Sequence, residues 1–164
     1  MDALVAAARH EMGTARGTAD AFSVAKDAVD ACAPLAAERN LDVEVEQPAA
    51  SLRIGVEADL AERILQPVVE NACRYGRRSI RVTLARRNGG IVYAVDDDGP
   101  GVVADEVEQI FEPGARGTAG QSNGASGAGL GLALARRLAR SANGDVEAIA
   151  GDGGGRFIVR LPAG

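Results

Sequence analysis

The 164 residues carry 18 basic and 23 acidic side chains, a formal charge of −5, and their only aromatics are three Phe and two Tyr. That length fits one domain with a core able to fold without staples. The acidic balance argues against a broad nucleic-acid footprint, which needs a basic surface, and the few aromatics argue against a stacking platform for single strands. The apolar runs fall far short of the roughly 18 residues a membrane span needs, and the first residues lack a signal-peptide pattern. Cys32 and Cys73 have no CxxC or His/Cys cluster beside them, so they read as two buried thiols of a reducing compartment.

In chain order, residues 2–12 predict a helix ended by Gly13, and 14–20 a linker. A second helix is expected over 24–38, with Val24, Ala28, Ala31 and Leu35 on one side. The period then falls to two. Val43 and Val45 alternate with charged residues, as do Leu52, Ile54 and Val56 with Arg53 and Gly55, and Gln47-Pro48 between them predicts a hairpin. Residues 57–75 are the longest helical candidate, striped by Leu60, Ile64, Val68 and Ala72; Pro67 inside it predicts a kink or an early break. Strands follow at 79–85 and 90–97, then an apolar helix over 130–142 with Leu130, Leu134 and Leu138 four apart. Two more strands, 145–150 and 156–161, close the chain. Strands with one apolar and one polar face predict a two-layer α/β sandwich, its sheet mixed or mainly antiparallel and covered by helices on one side.

Three polar stations stand out. Asn71, Arg74 and Tyr75 share a helix face about one turn long. Asn71 by itself reads first as a residue satisfying a backbone group beside a solvated Arg74; an amide oxygen can also complete an Mg²⁺ shell, with Arg74 near phosphate. Asp97 has the parity of Ile91, Tyr93 and Val95, so it points into the apolar layer, where a carboxylate needs donors. The amine of adenine is one such donor, and Gly99 and Gly101 let the chain turn close to a ring; an ordinary acidic turn is the alternative. Gly127, Gly129 and Gly131 lead into the last helix, whose free N–H groups form a ready anion site. No Gly-Lys-Ser/Thr and no glycine at Leu132 are present, which excludes a P-loop and a dinucleotide fingerprint. Residues 114–127 hold five glycines and no Leu, Ile or Val, and predict a mobile flap beside the site.

In order, these segments resemble the nucleotide-binding boxes of the histidine-kinase ATPase domain, in the larger family that also holds DNA gyrase, MutL and Hsp90. QPVVENACRYG at 66–76 is similar to the asparagine box, DDGPG at 97–101 to the first glycine box, IFEPGARG at 110–117 to the phenylalanine box, and GAGLGL at 127–132 to the second glycine box. GGGRFIVRLP at 153–162 resembles the closing strand, so the likeness runs over about residues 22–162. It implies a Bergerat-type sandwich that binds ATP and Mg²⁺. Asn71 would hold the metal, flanked by Arg74 and Tyr75. Asp97 would accept from the adenine amine, with Gly99 and Gly101 shaping the pocket. Arg116 would touch phosphate from the 114–127 lid, and Gly127, Gly129, Leu130, Gly131 and Leu132 would line the phosphates. Gly114 departs from the second aromatic often found in the phenylalanine box, and residues 141–144 depart from His-Gly-Gly.

The resemblance further implies that the γ-phosphoryl group goes to a histidine on a separate dimerisation domain, and through it to a response regulator. The expected setting is cytoplasmic, without nucleic acid and without membrane insertion of this segment. Clamp-type hydrolases of the family place a catalytic Glu four residues before the asparagine, where this chain has Pro67; a serine kinase or a non-catalytic nucleotide sensor are the other readings. His10-Glu11 imitates a phosphoacceptor pair but continues Met12-Gly13-Thr14. LVAAARHEMG at 4–13 instead resembles the end of a dimerisation hairpin's second helix, making 1–13 the end of that helix, 14–21 a linker and 22–164 the catalytic domain.

Overall fold

Period-two alternation in the sequence becomes a sheet with one greasy row and one wet row. The computed structural model describes residues 19–113, 130–151 and 153–164. A short strand β1 (Ala19–Asp20) leads into helices α1 (Ala21–Ala31) and α2 (Ala33–Glu38), then β2 (Asp42–Val45), β3 (Arg53–Ile54), α3 (Ala58–Tyr75), β4 (Ser79–Arg87) and β5 (Gly90–Asp97). Two single-turn 3₁₀ segments, Ala104–Glu106 and Gln109–Phe111, precede α4 (Gly131–Ser141), β6 (Asp145–Ile149) and β7 (Arg156–Pro162).

The main sheet runs β2-β4-β5-β7-β6, parallel only between β2 and β4. Cross-strand partners Val82, Val95 and Phe157 continue one apolar row, and Tyr93 and Val159 the next. This face is buried beneath α1, α3 and α4, while Arg81, Arg156 and Arg160 project on the other face as ion pairs with Glu44, Asp96 and Glu147. The expected two-layer sandwich with a mixed, mainly antiparallel sheet is therefore the one observed.

Turn chemistry joins the pieces. Asn88 and Gly89, at φ 51° and 78°, link β4 to β5 in two residues, the left-handed pair that matches strand twist. Asn40 and Asn143, also at positive φ, end α2 and α4 in Schellman closures: Leu41 and Gly144 donate their N–H to Ala36 and Ala139 carbonyls at 2.8 Å. The Tyr93 hydroxyl donates to the Ala21 carbonyl at 2.8 Å, pinning the start of α1 to the middle of the sheet.

Several expectations change. Residues 24–38 are not one helix: α1 stops at Ala31 and α2 restarts at Ala33, because Pro34 in its first turn has no N–H to continue the ladder. The first of these helices also begins earlier, at Ala21, since Asp20 accepts from the Ser23 N–H at 2.8 Å and caps it; residues 19 and 20 of the expected linker are strand. The hairpin of residues 42–56 is absent: β2 pairs with β4 and β3 with β1. The seven-residue connection between them allows each strand to find a separate neighbour, where a two-residue turn would have forced pairing. Finally, of the kink or early break expected at Pro67 the break does not occur: α3 is continuous through it, because Ile64, Leu65, Val68 and Val69 around it are all buried and packing outweighs one missing hydrogen bond.

The stripe on α4 also sits differently. Ala135 and Ala139 form its fully buried face, whereas Leu130 and Leu134 are exposed. Both cysteines are free and buried, and burial, reinforced by the neighbouring Cys73 and Glu70, pushes the Cys32 thiol up to about 12.

Candidate functional site

Asp97 ends β5 on the apolar row and is the one buried charged residue among those described, 8 % exposed. Its Oδ1 accepts the N–H of Gly99 at 2.8 Å and that of Gly155 at 3.3 Å. Oδ2 receives no hydrogen bond among the described residues. Desolvation raises the carboxyl above the usual range; the two amide donors oppose this, and the charges of Asp98 and Asp96 add to it. Both neighbours are themselves held. Asp96 takes a forked pair from Arg156 at 2.6 and 3.2 Å, and Asp98 accepts the Arg77 and Arg78 backbone N–H groups at 2.7 and 3.0 Å. Some desolvation opposes it, but the combined pull of those amides lowers the Asp98 carboxyl.

The cradle around Asp97 has no room for side chains. A Cβ on Gly99 would collide with the Tyr75 carbonyl, and one on Gly155 would meet Asp97 Oδ2 at 2.5 Å. Gly101 sits at φ 79° against the Gly151 carbonyl, so both its backbone and its space demand glycine.

One helix carries the site from end to end. Tyr75, the last residue of α3, lies against Gly99. Asn71, one turn earlier, is half-buried, and its amide makes no hydrogen bond among the described residues. Pro67, another turn back, faces the start of α4: a Cβ on Gly131 would lie 3.4 Å from the Pro67 Cβ. At 1.5 Å per residue, Tyr75 and Pro67 stand about 12 Å apart along the axis, roughly the reach of an extended nucleoside triphosphate. No side chain among the described residues caps α4 at Leu130, which leaves its first N–H groups available to an anion. A carboxylate acceptor thus stands at one end, an amide unpaired among the described residues in the middle and a helix start at the other.

The model of the histidine kinase-, DNA gyrase B- and HSP90-like ATPase family matches residues 55–164. The chain belongs to this family. It is 36 % identical over 152 residues to the sensor protein CutS of Streptomyces coelicolor, covering 90 % of this chain and 36 % of CutS; it thus spans about a third of that relative's length. Among solved structures it resembles full-length ShkA in complex with AMPPNP (TM-score 0.73, 25 % identity, 88 % of this chain and 30 % of that one). The mycobacterial sensor histidine kinase MprB superposes with a TM-score of 0.75 at 21 % identity, covering 88 % of this chain and 97 % of that chain.

Within the ATPase frame, the structure brings Tyr75, Asp97, Gly99 and Gly101 together at one end of α3, and Leu130, Gly131 and Leu132 to the other, with Asn71 between them. Arg74 is already engaged: its guanidinium is 2.7 Å from Glu70, one turn back. Glu70 is therefore turned to Arg74. Arg116, Gly127 and Gly129, with the expected lid, lie outside the described residues, as do His10 and residues 1–18.

Sequence reasoning missed part of the Asp97 cradle. Gly155 donates to the carboxylate and Gly154, at φ 134°, packs on the Asp97 carbonyl. The run of three glycines at 153–155 was the available signal, and it reads only as the approach to a strand until the sheet places it beside Asp97. Asp98 was missed because a partly exposed aspartate in a turn has no pattern of its own.

Proposed function

We propose that this chain is the catalytic domain of a sensor histidine kinase: it binds Mg·ATP and presents the γ-phosphoryl group to a histidine on a separate dimerisation domain, which in turn serves a response regulator. Residues 22–164 form that catalytic domain. The observation that carries the reading is the Asp97 carboxylate, fixed through Oδ1 by two glycine amides while Oδ2 receives no hydrogen bond from the described residues. An amine donor reaching Oδ2 adds a hydrogen bond to a carboxylate that burial has partly stripped of water, which favours adenine over guanine, whose carbonyl would face it instead. The triphosphate then runs along α3 toward the start of α4.

The residues fit a magnesium ion. Among the described residues the Asn71 amide oxygen has no hydrogen-bond partner, and no group of three or more His, Cys, Asp or Glu suited to a metal exists. Such an ion would therefore rest mainly on phosphate oxygens and water, the mode in which Mg²⁺ is usually held. When bound it neutralises phosphate charge. The protein's own part is positioning: Asp97 fixes the base, Asn71 and the α4 amides orient the phosphates, and the acceptor nitrogen comes from another domain. Similarity to CutS, whose name is that of a sensor protein, and to ShkA with AMPPNP supports this reading. A hydrolytic clamp is disfavoured, since Pro67 supplies no base and Glu70 is paired with Arg74.

Calorimetry with ATP and GTP, with and without Mg²⁺, tests the assignment. Asn71→Ala should weaken binding only when Mg²⁺ is present, by about tenfold or more, and Asp97→Ala should abolish the preference for ATP. Unchanged affinity and base preference in both variants would remove the basis of the assignment.

A further inference from the structure

Outside the nucleotide boxes, one charged side chain is nearly as buried as the core. Arg136, in the middle of α4, is 11 % exposed. Its guanidinium lies over the Phe111 ring at 4.1 Å from the centroid, and Phe111 meets Phe157 edge-to-face at 6.2 Å. Two nitrogens fork onto Glu108 at 2.9 and 3.1 Å. Nε faces Asp145 at 3.5 Å without a hydrogen bond, and Arg140 holds the same carboxylate at 2.9 Å. Burying a guanidinium with an unsatisfied N–H costs desolvation that a methionine of similar bulk would avoid. What the charge adds is direction: a planar fork fixes two elements in one mutual orientation.

Those two elements are the turn of residues 108–111 and α4, and Gly131 at the head of α4 is the residue packed on Pro67. We propose that Arg136 is a positioning residue for the triphosphate end of the site: its stack on Phe111 and fork on Glu108 set the angle of α4, and hence of the first amides of that helix, relative to Asn71 on α3. Among the described residues no hydrogen bond or ion pair joins Arg136 or Glu108 to Asp97, Gly99 or Gly155; the two ends share only the sheet, where Phe157 pairs with Val95. The proposal rests on the nucleotide reading above and predicts an effect confined to the phosphates.

The test is NMR titration of the full chain with Mg·ATP and, separately, adenosine, for the natural chain, Arg136→Met, Arg136→Lys and Glu108→Gln. Arg136→Met should weaken ATP about tenfold while adenosine affinity stays within about twofold. Arg136→Lys should behave like Met, because an ammonium neither forks nor stacks as a guanidinium does. Glu108 is exposed, so Glu108→Gln keeps the fold and should move ATP in the same direction by a smaller factor. Equal weakening of ATP and adenosine, or full rescue by Lys, would overturn the positioning role, as would unchanged ATP affinity in Glu108→Gln. Failure of the natural chain to bind either ligand would instead overturn the nucleotide reading beneath it.

Discussion

Asp97 carries its chemistry through an unusual balance. Desolvation raises its pKa despite the Gly99 and Gly155 amides, so the folded chain holds this proton more tightly than the unfolded chain does. Its contribution to stability is greatest below the unfolded value and is lost as pH rises through the folded one. An amine donor on Oδ2 favours the ionised form. Adenosine affinity should therefore fall on acidification while the pH is still above the ordinary carboxylate range, and Asp97→Asn should flatten that profile; a titration of affinity against pH decides it. Gly99 is the steric counterpart. Gly99→Ala drives a methyl into the Tyr75 carbonyl, an overpacking expected to cost about 1–3 kcal/mol in chemical denaturation and to open the cradle. A variant as stable as the parent would show that the 97–101 turn is free to move.

At the scale of elements, what the sequence shows depends on how local the cause is. Burial parity along β5 placed Asp97 inward and Asp96 outward because alternation is a property of a single strand, and β4 and β7 were legible for the same reason. The hairpin of residues 42–56 was misread because pairing is a competition among strands: the seven-residue connection leaves β2 free to prefer Ile80 and Val82 on β4. The broken helix was a matter of weight, with the Ala and Val periodicity outvoting Pro34, while Pro67 shows the opposite, a proline overruled by the apolar residues packed around it. Of the site, Asn71, Asp97 and the glycine-led start of α4 were visible as separate stations. Their convergence was not, because it depends on Gly99 meeting Tyr75 and Gly131 meeting Pro67 across distant segments. Arg136 escaped notice for a similar reason: an arginine on an amphipathic helix is ordinarily solvated, and only the fold slides Phe111 beneath it.

For the whole molecule, the proposed nucleotide site has no aligned base among the described residues. Phosphate release by the purified chain should therefore stay well below about 1 per second, the lower part of the usual enzyme range. With labelled ATP and Mg²⁺ the chain should remain unlabelled, while a supplied histidine-bearing hairpin becomes labelled in trans; acid-labile phosphate on His10, lost in His10→Ala, would contradict this. The lone parallel pairing also has a kinetic meaning. β4 and β5 close across two residues, so their ladder can zip early. β2 can join only after β3 and α3 have been gathered in, since Val45 pairs with Val82 on the far side of them. Gly89 sits at φ 78° with open space around it, so Gly89→Ala imposes about 1 kcal/mol of backbone strain and little else. In stopped-flow chevrons that strain should appear as about fivefold slower refolding. Val43→Ala on the edge strand should leave refolding nearly unchanged and speed unfolding, marking β2 as the last strand to dock and the first to peel away.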